Sequence, residues 1–307
     1  MNQSIGRKVS WMGIGLAGVI SPCAALSATY ESISNAFDIT VEYEGTLSES
    51  QQSIFASAEY FWESMLLGNR YDLALPSLVI TASGTEIDGE GGTLGQAAAQ
   101  TVTYTYGFEQ DYVYASSGYM EFDTADLSAL ESAGTLFDVI VHEMGHVIGF
   151  GSLWDTDSWS VYAGYEMFAG TQSVYTSGTG QYTGAYGVAA YAAETGTEAN
   201  YVPVELDGGA GTANAHWDET AFALGQEDGV STDIMTGYLN ADSTQSDSPF
   251  GVSTLSATTI ASFADIGYIT VATDTVAIAS VPLPAGGGLL LLGLGGVGAL
   301  TLRRRAA

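Results

Sequence analysis

Two histidines separated by four positions constrain this chain more than any other feature. Residues 137–150 read Phe-Asp-Val-Ile-Val-His-Glu-Met-Gly-His-Val-Ile-Gly-Phe and contain His142, Glu143 and His146. Residues four apart on a helix lie on one face, about one turn from each other. Both imidazoles can therefore reach one ion, and neutral imidazole nitrogens bind Zn²⁺ at about 2.0–2.1 Å. The motif predicts a helix that supplies two metal ligands.

Glu143 follows the first of these histidines directly. A carboxylate in that position can reach a water molecule at an open coordination position without binding the metal itself. The alternative is a buried helix with two incidental histidines. The chain has only three histidines in 307 residues, so a chance match to the motif is on the order of a 10⁻³ event. We therefore expect His142 and His146 to be ligands and Glu143 to be a general base.

A catalytic zinc site needs a third protein ligand and keeps one position open. His216, in the sequence Ala-His-Trp-Asp, is the only other histidine of the chain. Glu166, 20 residues beyond His146, is the rival ligand, because carboxylates also complete such sites. We favour His216, since a lone histidine beside a tryptophan has no other evident role, and we keep Glu166 as the alternative.

Apolar periodicity predicts an α+β fold. Strands are predicted at Phe37–Tyr43, Leu78–Ile87, Thr101–Tyr106 and Tyr119–Phe122, and helices at Ser48–Leu67, within Leu127–Ile148 and at Thr254–Asp265. Glycines 149 and 267 are expected to end the last two helices. We interpret Asp88–Gly95 as a surface loop, and residues 150–215 show little periodicity. The expected organisation is a catalytic subdomain at 28–149 that carries the motif helix, and a loop-rich subdomain at 150–270 that ends in a helix.

The charge balance restricts the partners of the chain. It contains 35 acidic and 6 basic residues, and all the acids but only one base, Arg70, lie within residues 28–284. Such a surface repels nucleic acid and anionic lipid. The only cysteine is Cys23, which lies in a predicted leader, so the mature chain is expected to have neither a thiol nor a disulfide.

Both ends of the chain carry targeting signals. Arg7 and Lys8 precede the apolar stretch Val9–Ile20 and then small residues, which predicts a signal peptide at 1–27. At the other end, a linker at 271–280 leads to the sequence Val-Pro-Leu-Pro-Ala, an apolar glycine-rich run at 286–302 and three arginines. That run is barely long enough to span a bilayer, and the arginines would stay on the cytoplasmic side.

The motif helix and the later histidine resemble the leishmanolysin family of metzincin zinc peptidases. The resemblance covers residues 30 to 270 and is tight only at a short set of residues: His142, Glu143, His146, Gly149, Phe150, His216, Trp217 and Met235. Short-spaced metzincins place their third histidine six residues after the second, where this chain has Ser152. The leishmanolysin pattern instead places it after a long insertion, which implies that His216 is the third ligand.

The resemblance also implies a metzincin-like fold with a mixed sheet. It further implies a methionine turn beneath the metal, which matches Ile234-Met235-Thr236. An extended substrate would lie antiparallel to an edge strand, expected in Gly118–Asp123 or Leu78–Ile87. The chain departs from the family in its cysteines, so latency through a prosegment thiol is excluded. We do not assign Tyr238 as a ligand, because it lies three residues after the methionine rather than two. A structural Ca²⁺ ion is left unassigned.

The C-terminal residues 281–305 resemble sorting tails of the PEP-CTERM type, in the Val-Pro-Leu-Pro-Ala variant. The order of motif, span and arginines carries the resemblance. It implies a precursor held transiently in the inner membrane and a sorting protease that removes the tail. The mature protein would then be found at the cell surface or outside the cell.

Together these observations predict a secreted zinc metalloendopeptidase that acts on protein or peptide substrates and does not bind nucleic acid. The alternative is a surface structural or adhesive protein that retains a metallopeptidase fold with weak or no catalysis. Sorting tails of this kind are shared by many proteins that are not enzymes, which supports the alternative. Glu143 argues against it, because a purely structural zinc site does not need that carboxylate.

Overall fold

The strands and helices form an α+β arrangement with a mixed sheet, as the sequence predicts. This computed structural model describes residues 33–156, 172–222, 233–238 and 254–272. The predicted leader, Glu166 and the predicted sorting tail all lie outside the described residues. Among the described helices, none is both long and apolar enough to cross a membrane.

The bounds of the elements are as follows. The strands of the described residues are β1 (Ile39–Gly45), β2 (Leu66–Asn69), β3 (Leu78–Thr85), β4 (Gly95–Tyr104), β5 (Val113–Asp123), β6 (Gln181–Tyr182), β7 (Val202–Pro203) and β8 (Tyr268–Thr270). The helices are α1 (Glu49–Met65), α2 (Leu127–Ala133), α3 (Leu136–Ile148), α4 (Ala185–Thr195) and α5 (Ala257–Asp265).

The main sheet has the strand order β1-β3-β5-β4. Strands β1, β3 and β5 are parallel, and β4 pairs with β5 in the antiparallel direction. The prediction of the edge strand was wrong, because the two predicted segments, Leu78–Ile87 and Gly118–Asp123, fall on the interior strands β3 and β5. The edge beside the motif helix is β4, whose residues Gly-Gln-Ala-Ala-Ala-Gln-Thr are small and polar, as a half-exposed strand allows.

Helix α1 begins with a capping box. The Ser48 hydroxyl accepts the backbone N–H of Gln51 at 3.2 Å, and the Gln51 side chain accepts the N–H of Ser48 at 2.9 Å. Both bonds satisfy donors that a helix start leaves free. The buried face of α1 packs on α3, where the Trp62 indole donates to the carbonyl of Val141 at 3.0 Å. This contact anchors the helix that carries the motif.

The range Leu127–Ile148 holds two helices rather than one. Gly134 adopts φ of 79° at the end of α2, a left-handed conformation that favours glycine. Helix α3 then carries the motif and ends at Gly149, whose φ is 143°. Its apolar side chains are buried, as expected, except that of Phe137, which is partly buried. The break at Gly134 separates α2 from α3, so the motif lies on a helix of its own.

The C-terminal part contains a helix that the sequence did not reveal. Helix α4 lies in the segment that lacked periodicity, and it starts where the Asp265 carboxylate accepts the N–H groups of Tyr186 and Gly187, each at 2.9 Å. Helix α5 is the predicted C-terminal helix and is capped by Ser256, whose hydroxyl accepts the N–H of Thr259 at 3.0 Å. Gly267 follows it with φ of 99°, so this stop is confirmed.

Candidate metal centre

The three histidines of the chain meet at one point. The Nε2 atoms of His142, His146 and His216 form a triangle in which every side measures 3.0 Å. His142 and His146 come from one face of α3, as their spacing predicts, and His216 approaches from the C-terminal part. This group could hold a metal ion, and it is the arrangement expected from the sequence.

Each imidazole is oriented through its other nitrogen. The Nδ1 atoms of His142, His146 and His216 lie 2.6, 3.0 and 2.9 Å from the carbonyl oxygens of Ile234, Phe150 and Thr212. A carbonyl only accepts, so Nδ1 carries the proton and Nε2 presents a lone pair. Three lone pairs that face each other at 3.0 Å repel unless a cation lies among them, and this donor set therefore fits a metal.

The size of the triangle also suits an ion bound by imidazoles. Three nitrogens at about 2.0–2.1 Å from a tetrahedral ion lie about 3.3–3.4 Å apart. The observed 3.0 Å sides need only a few tenths of an ångström of expansion. Small side-chain rotations would supply that movement without a change in the backbone.

Burial holds the three histidines in the neutral form that metals require. Burial, and next the charge of His142, lower the pKa of His216 to about 3, although the bond to Thr212 and the charge of Glu205 oppose this shift. Burial is also the main cause that sets the pKa of His146 well below its usual value and lowers the pKa of His142. Few protons therefore compete with a cation for these nitrogens near neutral pH.

Glu143 follows His142 on α3 and is buried, with 6% of its surface exposed. Burial raises the pKa of this carboxyl to about 8, and a cation nearby would lower the pKa again. A general base works best with a pKa near the working pH. The position of Glu143 next to His142 and its adjustable proton affinity fit the role that the sequence suggests.

Met235 lies under the ligand helix. It is fully buried, and its Sδ and Cε atoms lie 3.0 and 3.1 Å from the point where a Cβ on Gly145 would stand. Gly145 directly precedes His146 and has no side chain, which lets Met235 approach the helix so closely. Met235 thus packs against the ligand helix at Gly145, and its role as a methionine turn beneath a metal stays a prediction.

The segment that carries His216 is held by the tryptophan next to it. Trp217 is fully buried and stacks on Trp154 and Phe222, with ring centroids 5.0 and 5.4 Å apart. Its backbone N–H donates to the carbonyl of Met235 at 3.0 Å. The third histidine is therefore fixed to the methionine turn, which in turn lies against α3.

Other residues considered from the sequence have different places. The Ser152 hydroxyl donates to the carbonyl of His146 at 2.6 Å, which fits the expectation that it does not replace an imidazole. Tyr238 is 59% exposed and remains unassigned. Sequence reasoning missed the three carbonyls that orient the imidazoles and the contact of Gly95 with Glu143, because neither leaves a signal in residue type.

No protein-family model matches the chain, and no curated protein matches it. The support for a function therefore lies in the residues of the site.

Proposed function

We propose that the protein is a zinc-dependent endopeptidase of the leishmanolysin-like metzincin type. The observation that carries the proposal is the triangle of three Nε2 lone pairs, together with the buried carboxyl of Glu143, which follows His142 on α3. Three imidazoles and an open fourth position are the ligand set of catalytic zinc, whereas structural zinc sites have four protein ligands. In this proposal His142, His146 and His216 hold the ion.

The side chains have distinct chemical tasks in this proposal. Bound zinc would polarise a peptide carbonyl and lower the pKa of water toward about 7. Glu143 in its ionised form takes a proton from the attacking water and later gives it to the leaving amine. The low exposure of Glu143 keeps bulk water away from this proton. Met235 supports the ligand helix and takes no part in proton transfer.

The edge strand β4 supports a peptide as the substrate. It is the last strand of the described sheet on the side of α3, and its first residue, Gly95, lies against Glu143. An extended peptide can add to a free strand edge through main-chain hydrogen bonds. Such a peptide would bring one of its carbonyls toward the histidine triangle. This mode depends little on side chains and suits an endopeptidase.

The second candidate function is a surface structural or adhesive protein that binds zinc without turnover. It shares the ligands with the first proposal and differs only in catalysis. The test uses the chain without its leader, its zinc content and its cleavage of casein. We expect about one zinc per chain and cleavage that stops with a chelator and returns with added zinc. A preparation with one zinc that leaves casein intact would favour the structural function.

A further inference from the structure

One buried carboxylate near the metal centre has no part in the roles described so far. Asp233 is 4% exposed and begins the methionine turn. Its Oδ1 atom accepts the N–H of Met235 at 2.8 Å, and its Oδ2 atom accepts the N–H of Ser256 at 3.0 Å. Both oxygens also lie within 3.0 Å of the Thr259 hydroxyl. Because these partners donate, they favour the ionised carboxylate.

The first connection runs from Asp233 to His142. The carboxylate fixes the N–H of Met235, and the residue between them, Ile234, presents its carbonyl to Nδ1 of His142 at 2.6 Å. The orientation of this imidazole thus depends on a turn that Asp233 closes. Hydrogen-bond partners of this kind fix the tautomer and the direction of a metal-binding histidine.

The second connection runs from Asp233 to His216. The Trp217 indole donates to the Thr259 hydroxyl at 2.8 Å. That hydroxyl has one proton, which it gives to Asp233. Trp217 follows His216 directly, so the indole position determines where this imidazole stands. One carboxylate therefore holds the supports of two ligands that come from different parts of the chain.

The charge of Asp233 also points toward a cation. Arg70 is the only lysine or arginine in the described residues, and its guanidinium donates to the hydroxyl of Tyr186 at 3.2 Å. A buried negative charge is costly unless hydrogen bonds and an opposite charge compensate it. The hydrogen bonds are present, and a divalent cation in the neighbouring histidine triangle would supply the opposite charge.

We propose that Asp233 is a positioning residue that links helix α5 to the metal centre and raises the zinc affinity of the three histidines. This inference rests on the metal-binding part of the proposed function and does not need peptide cleavage. It predicts that breaking the hydrogen-bond chain from Asp233 through Thr259 to Trp217 weakens zinc binding more than the loss of another carboxylate that caps a helix.

The test is the zinc dissociation constant measured by competition with a chromophoric chelator. Asp233→Asn replaces one acceptor oxygen with a donor, which cannot accept from the N–H and O–H groups that face it. We expect zinc to bind about 10–100-fold more weakly, the range typical for lost partners of metal ligands. The matched control is Asp265→Asn, which weakens a half-buried carboxylate that accepts from Tyr182, Tyr186 and Gly187 and forms no hydrogen bond with Thr259 or Trp217. Its zinc affinity should stay within about twofold of the wild type.

A second pair of variants covers the case in which Asp233→Asn does not fold. Thr259→Val keeps the shape of the side chain but removes its hydroxyl, and it should weaken zinc binding. Thr259→Ser keeps the hydroxyl and should bind zinc with the affinity of the wild type. Wild-type affinity in Thr259→Val, or equal losses in Asp233→Asn and Asp265→Asn, would overturn the role of Asp233. A wild-type chain that binds no zinc would overturn the proposed function itself, so the two failures are distinguishable.

Discussion

Gly95, the first residue of β4, lies directly against the carboxyl group of Glu143. A Cβ built on Gly95 would stand 3.1 Å from both Cγ and Oε1 of Glu143. That separation is shorter than ordinary van der Waals contact, so only glycine leaves the carboxyl where it is. The edge strand therefore helps to fix the position of the expected general base.

Gly95→Ala tests this contact. The added methyl group should displace the Glu143 carboxyl by a few tenths of an ångström, and a displacement of about 1 Å in an active site can cost about 100-fold in rate. We therefore expect kcat to fall by up to about tenfold with zinc content unchanged. Gly84→Ala is the matched control, because its Cβ would meet Leu127 at 3.2 Å, away from the histidines. Equal kcat values in the two variants would show that Gly95 has no special role.

The third ligand can be tested by comparing its two candidates. His216→Ala removes one corner of the nitrogen triangle, and zinc binding should weaken by at least about 100-fold, since even partners of ligands contribute about 10–100-fold. Glu166→Ala should leave zinc content near one per chain. Elemental analysis after dialysis against a weak chelator measures both. If Glu166→Ala is the damaging change, the leishmanolysin-like assignment is wrong.

The sequence predicted the parts of the site that a single helix determines. His142 and His146 meet because the helical period places residues four apart on one face, and Gly149 ended the helix as expected. His216 was favoured because no other histidine remains, yet its position depends on Trp217, which forms isolated β-bridges with Val204 and Thr236. Such bridges join segments far apart in the chain and follow no local period.

The misassigned elements have a similar physical origin. Strand β4 begins six residues before its predicted start, because its Gly-Gln-Ala-Ala-Ala sequence has weak strand preference and is held by pairing with β5. Helix α4 is rich in alanine and has a weak amphipathic pattern, and its start is fixed by Asp265, 79 residues after Tyr186. In both cases tertiary contacts decide what local preference leaves open.

A pair of carboxyl groups near His216 predicts a pH effect on stability. Burial and then a hydrogen bond that the protonated Glu219 donates to the Glu205 carboxylate raise the pKa of Glu219 to about 7, from its ordinary value of 4.5. The folded state therefore binds more protons than the unfolded state between these values. The contribution of Glu219 to the stability of the fold is complete below pH 4.5 and is lost as the pH rises through 7.

Glu219→Gln tests this effect, since glutamine resembles the protonated form. In chelated, metal-free protein we expect equal melting temperatures for wild type and variant near pH 5, and a higher one for the variant at pH 8. The control is Glu121→Gln, whose side chain bonds to Gln96 at the surface and should give the same difference at both pH values. If the difference in melting temperature between Glu219→Gln and the wild type does not change with pH, the raised pKa of Glu219 is contradicted.

The sorting-tail proposal makes a prediction about the mature end of the protein. Residues 285–302 would span about 27 Å as a helix, at about 1.5 Å per residue, close to a hydrocarbon core of about 30 Å. We expect the precursor to fractionate with the inner membrane and the mature form to end near Pro284. Replacing Arg303, Arg304 and Arg305 with serine should weaken retention. An intact mass of the secreted form that still includes Arg305 would rule out tail removal.

The most direct measurement is the zinc content and kcat of Glu143→Gln, determined on one preparation. Glutamine keeps the size of the side chain but cannot take the proton from water, so the general base and the proton shuttle are lost together. We expect about one zinc per chain, as in the wild type, a normal melting temperature and a kcat lower by several orders of magnitude. Near-normal cleavage by zinc-loaded Glu143→Gln would contradict the account, because catalysis would then depend on another residue.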